Sequence, residues 1–213
     1  PKTYLLRHFP KKTQAMRSTK APYIPPDQFE MIIKSMRGQH QLRNRVVLLT
    51  SFFVGLRAKE IAALRRRDLL DLAGNLRYVV QLTGDMTKGG IFREVYFMDD
   101  RLRMLLTQYL SEHNGPPDQP AFVSQKGGGF TANTMQKMIK GIYTSAQVKA
   151  SSHSGRRSFA TRLVKHGSTI YEVKSLMGHS SITTTEKYLH TDAETLMATV
   201  SKLSAGNSPL DAL

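Results

Sequence analysis

Apolar residues recur at helical spacing along most of the chain and alternate with polar ones over two short stretches. Pro25-Pro26-Asp27 opens a first predicted helix, with Phe29, Ile32, Ile33 and Met36 on one face. Residues 42–54 become almost wholly apolar from Val46 on, which predicts a helix in the core, stopped by a C-cap at Gly55. Ala58–Leu64 predicts another helix, running on into Arg65-Arg66-Arg67. Asn75–Leu82 and Ile91–Met98, rich in Val, Tyr, Ile and Phe, read as strands joined by the Gly-rich hairpin connection Thr83–Gly90. A helix near 99–112, a Pro/Gly loop at 114–120 and a short apolar segment, Ala121–Ser124, follow. Further helices are expected at about 131–147, 154–166, 169–177, 181–189 and 192–203. The pattern predicts a mainly α domain with a small antiparallel β-sheet (α+β) over residues 25–205. Residues 1–24 are expected to be a basic arm or linker before it and 206–213 a tail after it.

Composition narrows the function. Of the 213 residues, 31 are Lys or Arg and 16 Asp or Glu, a formal excess of +15. With 40% apolar residues the chain is globular rather than a basic disordered tail. It has no Cys, which excludes a disulfide framework, a Cys-ligated zinc site and thiol catalysis. The longest apolar stretch, Val46–Val54, is nine residues, against the roughly 20 that a bilayer-spanning helix needs. The charge therefore points to a polyanion, nucleic acid before an anionic membrane surface. Residues 1–20 carry Lys2, Arg7, Lys11, Lys12, Arg17 and Lys20 without an acid. That composition suits an arm lying along phosphates and equally a solvated terminus.

Four segments set polar groups into apolar helices or tight turns: Gly55–Ile61, Thr87–Gly90, His153–Thr161 and Leu176–Tyr188. On them stand Arg57 with Glu60 three residues later, Lys88 on the hairpin, His153-x-x-Arg156, Gly178-His179, and Tyr188 nine residues after His179, behind a run of Thr. In this order and spacing the chain resembles the catalytic domain of the tyrosine recombinases, the phage integrase family, over roughly residues 25–203. Met177 stands where that family usually has Leu before Gly-His, a volume-conserving change. The resemblance implies a site-specific recombinase that cleaves and rejoins DNA through a 3′-phosphotyrosine, without metal, ATP or other cofactor.

The residue chemistry suits that task. A phosphodiester's five-coordinate transition state gathers negative charge on its equatorial oxygens, and two guanidiniums, Arg57 and Arg156, make a planar, always-charged clamp. Tyr188 is the expected nucleophile; a phenol with pKa about 10 needs a cationic pocket or a base. Lys88, on a Gly-flanked turn, is placed to protonate the leaving 5′-oxygen. His153 can help remove the Tyr188 proton or hold a non-bridging oxygen, and His179 can donate to the phosphate. Glu60 is expected to orient the site. Arg65, Arg66, Arg67, Arg157, Lys11 and Lys12 are candidate DNA contacts, or solvated charges. A metal site is not expected, since two-metal chemistry needs clustered acids.

Two other readings compete: a type IB topoisomerase-like strand cleavage, and a non-catalytic DNA-binding accessory protein. The Gly-His-Ser-Ser and Thr-Thr-Thr spacing favours the recombinase over the first, and the complete residue set argues against the second. Four cleavages per recombination imply a homotetramer on duplex DNA carrying a specific site, with an accessory DNA-bending or directionality protein. The resemblance implies a cytoplasmic, nucleoid-associated location and no membrane. Ala193, Leu196, Met197, Val200 and Leu203 share a helical face, which would pack on its own core or dock on a neighbouring protomer. Family members commonly carry a helical core-binding domain ahead of the catalytic one. With about 24 residues there, the expectation is a naturally short recombinase whose basic arm supplies part of the grip, or else a fragment.

Overall fold

The computed structural model describes residues 21–87, 89–90 and 92–186. Helix α1 spans Pro26–Ser35, with Pro at its start and Phe29, Ile32 and Ile33 buried. Helix α2 spans Gln41–Leu49, and the chain continues through Thr50–Val54 as a π-helical turn that ends at Gly55 in the left-handed region, φ 73°. The apolar helix expected over 42–54 is thus present, but its last turn is wound wider, a feature frequent near functional sites. Helices α3 (Ala58–Ala63) and α4 (Arg66–Leu69) follow, then strands β1 (Val79–Leu82) and β2 (Arg93–Tyr96). The later helices are α5 (Asp100–Glu112), α6 (Ala132–Ser145), α7 (Ser154–Lys165), α8 (Ile170–Met177) and α9 (Ile182–Glu186). The chain is mostly helical, with a two-stranded antiparallel sheet among the described residues.

Two expectations are corrected in detail. The helix begun at Ala58 does not run into the arginines: Leu64 turns to extended backbone, ψ 134°. The reason is pairing with the 119–121 segment. Leu64 O accepts from Ala121 N at 2.8 Å and Gln119 O from Arg66 N at 3.0 Å. Both strands are also shorter than predicted. Leu76 pairs with Leu70, and Arg77 N donates to Leu69 O at 2.8 Å, so residues 75–77 belong to the turn after α4 rather than to the ladder.

The core is built on the α2–π-turn segment. Val46, Val47, Leu48, Leu49 and Phe52 are essentially inaccessible, and Phe52 stacks on Phe29 with ring centroids 3.8 Å apart. Helix α7 packs directly on the π-turn. A Cβ added to Gly155 would lie 2.6 Å from Ser51 Oγ, and one added to Gly55 would lie 2.3 Å from the Phe159 ring. These approaches bring the start of α7 against the segment that leads into α3. Among the described residues no helix is long and apolar enough to cross a membrane.

Candidate active site

Arg57 is the residue before α3, one past the fully buried Leu56, so its backbone is fixed at the rim of the core. Glu60, at the third helical position, is fully buried and works as the carboxylate half of a capping box. Its Oε2 accepts from Arg57 N at 2.7 Å and its Oε1 from Arg57 Nη1 at 2.8 Å. Oε2 also accepts from Arg93 Nη2 at 2.8 Å, and Arg156 Nη1 stands 3.8 Å away. Burial alone would push the Glu60 carboxyl up. Arg93, Arg156, the Arg57 N–H and the Arg57 charge outweigh it and hold the group below its ordinary value.

Arg156 lies in the first turn of α7, with its side chain buried. Its Nη1 donates to Gly55 O at 2.5 Å and its Nη2 to Met177 O. The guanidinium therefore joins the end of the π-turn to the end of α8. The chain leaves α8 through Gly178 in the left-handed region, φ 56° and ψ 50°, and presents His179. His179 Nδ1 is 2.9 Å from Thr185 Oγ1 on α9. Burial, then the charges of Arg156, Arg57 and Arg93, bring its imidazolium pKa down to about 4, against a small opposing effect of Glu60. His153 is the N-cap residue of α7. Lost hydration, then Arg156 and Arg57, lower its pKa as well.

The structure thus gathers Arg57, Glu60, His153, Arg156 and His179 in one place, from three separate segments. Lys88 and Tyr188, like Lys11 and Lys12, lie outside the described residues. The connection that carries Lys88 is tied to α3 just before it, where Lys59 Nζ donates to Thr87 O at 2.9 Å. Tyr188 follows α9 by two residues.

The three successive arginines separate. Arg66 is buried, its Nη1 donating to Leu110 O and His113 O at 2.8 Å each and its Nη2 to Asn114 Oδ1 at 3.2 Å. It ties α4 to the end of α5 and is not presented to a duplex, contrary to the surface role expected for it. Arg65 donates to Asp118 O at 2.6 Å and Arg67 pairs with the Asp118 carboxylate, both on the exposed side. Arg157 is half-buried on α7, and its Nε has no hydrogen-bond partner among the described residues.

Arg93 was missed by the sequence reading. It stands opposite Leu82 in the ladder, on the face that also carries the buried Val80 and Val95. A charged residue in phase with Val95 and Phe97 was the available signal, since a buried charge demands a partner. Beside it a groove of about 570 Å³ opens, lined among others by Phe92, Tyr96, Tyr171, Lys174 and His179. Among the described residues no three His, Asp or Glu side chains converge as a metal would require.

Comparison with known proteins places the chain in a family. The model of the phage integrase family matches residues 22–195. Tyrosine recombinase XerC of Pelobacter propionicus is 30% identical over 163 residues, which are 76% of this chain and 52% of the relative. Tyrosine recombinase XerD of Lacticaseibacillus casei is 32% identical over 175 residues, 76% of this chain and 55% of the relative. The chain spans about half the length of these curated relatives. In fold it is similar to the Tn1549 transposon integrase in complex with transposon right end DNA. The TM-score is 0.69 at 20% identity, covering 93% of this chain and 72% of that one.

Proposed function

Because the chain belongs to the phage integrase family, we propose that it carries the catalytic residues of a site-specific DNA recombinase, cleaving and rejoining strands through a 3′-phosphotyrosine at Tyr188. The observation that carries this reading is the pair Arg57 and Arg156, both held on the buried Glu60 and flanked by His153 and His179. Two guanidiniums fixed in a partly dry pocket suit a phosphodiester better than any neutral substrate. They can meet the charge that develops on the non-bridging oxygens without reorganising at the moment of reaction.

Each residue then has a step. Arg57 and Arg156 bind the non-bridging oxygens and draw electron density from phosphorus. The Tyr188 oxygen attacks in line, and its proton passes to His153. The phosphorus–O5′ bond breaks as the phosphorus–tyrosyl bond forms, and the 5′-oxygen takes a proton from Lys88. With the Thr185 hydroxyl donating to His179 Nδ1, the neutral ring carries its proton on Nε2 and donates it as a hydrogen bond to the phosphate. The phosphotyrosine conserves the bond, so a second 5′-hydroxyl reverses the step without ATP or a metal. The partner is duplex DNA with a specific site, held by a tetramer, with Arg65, Arg67, Arg157 and the basic arm as backbone contacts. An accessory DNA-bending or directionality protein completes the assembly, in the cytoplasm at the nucleoid.

Incubation with supercoiled plasmid in chelating buffer tests this. Relaxation accompanied by a protein–DNA adduct that survives denaturation is expected. Strand cleavage that requires added divalent metal would overturn the reading.

A further inference from the structure

We infer that Arg93 is a positioning residue of the strand-transfer site, the strut that locks the end of α8 and its Gly178-His179 turn onto Glu60. This rests on the recombinase reading above. Arg93 does not face solvent or substrate: its side chain is 6% exposed. Its Nη2 is on Glu60 Oε2 at 2.8 Å and its Nη1 on Leu176 O at 2.7 Å. Those two acceptors belong to the two segments that present Arg57 and His179.

The neighbouring carbonyl, Met177 O, is held by Arg156. The last carbonyls of a helix lack N–H donors within it and attract cations. Here Arg93 and Arg156 take adjacent ones at the end of α8, and both approach Glu60 with their other arm. The result is a closed ring: Glu60, Arg93, the end of α8, Arg156, and back to Glu60. His179 is two residues beyond this clamp.

Gly178 makes the clamp possible. A Cβ there would lie 2.5 Å from Arg93 Cδ and 2.7 Å from Arg93 Nε. The Arg93 stem therefore runs across bare backbone, and the Gly-His turn cannot shift without moving Arg93. Arg93 sits on β2, the strand that returns from the hairpin bearing Lys88, so the same strut joins the hairpin to the rest of the site. A residue serving only core stability would have bonded within the core; this one bonds across the parts of the active site.

The test uses the full chain and a nicked duplex carrying the sequence that the chain itself selects from a randomised pool. Adduct formation is followed at saturating protein and duplex affinity separately. Arg93→Met is expected to slow adduct formation by about 100-fold, the scale of a misplacement near 1 Å, and to leave affinity within about twofold, as for a group acting on the transition state. Its acid limb moves to higher pH, because Glu60 and His179 both lose a nearby positive charge. Combining it with Glu60→Gln adds little further loss, since the two act as one unit. Arg93→Lys keeps the charge beside Glu60 but cannot fork to Leu176 O, so it folds, binds DNA and recovers only part of the rate. An Arg93→Lys or Arg93→Met chain as fast as the unaltered one, or losses that multiply in the double variant, would overturn the inference. An unaltered chain that forms no adduct would overturn the recombinase reading and this inference with it.

Discussion

Glu60 binds Arg57 at both ends: the backbone N–H at 2.7 Å on Oε2 and the guanidinium at 2.8 Å on Oε1. A buried carboxylate that fixes where a helix starts also fixes where its guanidinium points. Glu60→Gln preserves shape and one acceptor but removes the negative charge that Arg57, Arg93 and Arg156 share. Breaking such a buried pair costs about 3–5 kcal/mol. Urea unfolding should show a clearly lower midpoint. Adduct formation should fall further than DNA affinity does; a variant with unchanged midpoint and rate would contradict the role.

Acid should destabilise the protein through His179 and Glu60. The His179 pKa lies at about 4 in the folded chain, below the roughly 6.5 of an unfolded histidine. The unfolded state therefore binds the extra proton first. Stability from this group is complete above about pH 6.5 and is lost as pH falls toward 4. Glu60, also depressed, adds to the loss at the acid end, below the roughly 4.3 of an unfolded glutamate. Unfolding free energy measured from pH 7 to 4 should decline, and His179→Gln should flatten the part between 6.5 and 4. Imidazole NMR showing His179 titrating near 6.5 would refute the assignment.

Gly178→Ala meets two obstacles at once. The residue has φ 56°, and its Cβ would strike the Arg93 side chain at 2.5 Å. The left-handed conformation alone costs an ordinary residue about 1–2 kcal/mol. Thermal unfolding should drop by more than that strain explains. Combination with Arg93→Ala, which removes the obstructing stem, should make the added cost of the alanine smaller. Additive losses would show that the two residues do not meet.

Arg66 and Arg65 are neighbours with opposite expected behaviour. Arg66→Ala leaves the carbonyls of Leu110 and His113 without their donor. It should cost about 1–3 kcal/mol of stability, the scale of buried groups left unpaired, and leave the salt dependence of duplex binding as it was. Arg65→Ala should leave stability nearly unchanged and reduce the slope of log affinity against log salt by about one phosphate contact. The reverse pattern would return Arg66 to the DNA-facing surface.

Much of this was legible in the sequence because it rests on local rules. The apolar run Val46–Val54 and the Gly55 stop both announce their elements. Arg57, His153, Arg156 and His179 stood out through their spacing, and the structure brings them together. What stayed hidden depends on contacts distant in sequence. The break at Leu64 comes from pairing with Ala121, the burial of Arg66 from the end of α5, and the role of Arg93 from a carboxylate 33 residues away. No local pattern encodes these partners, although an arginine in phase with a buried strand face was a visible anomaly.

Tyr188 is expected to become covalently joined to DNA at a phosphate held by Arg57 and Arg156. A nicked suicide duplex carrying the selected site measures this directly, because loss of the short fragment after cleavage traps the intermediate. The expected result is a denaturation-resistant adduct with the unaltered chain in chelating buffer, a tryptic peptide containing Tyr188 bearing the nucleotide, and no adduct with Tyr188→Phe at undiminished duplex affinity. An adduct that persists in Tyr188→Phe, or a modified peptide that lacks Tyr188, would contradict it.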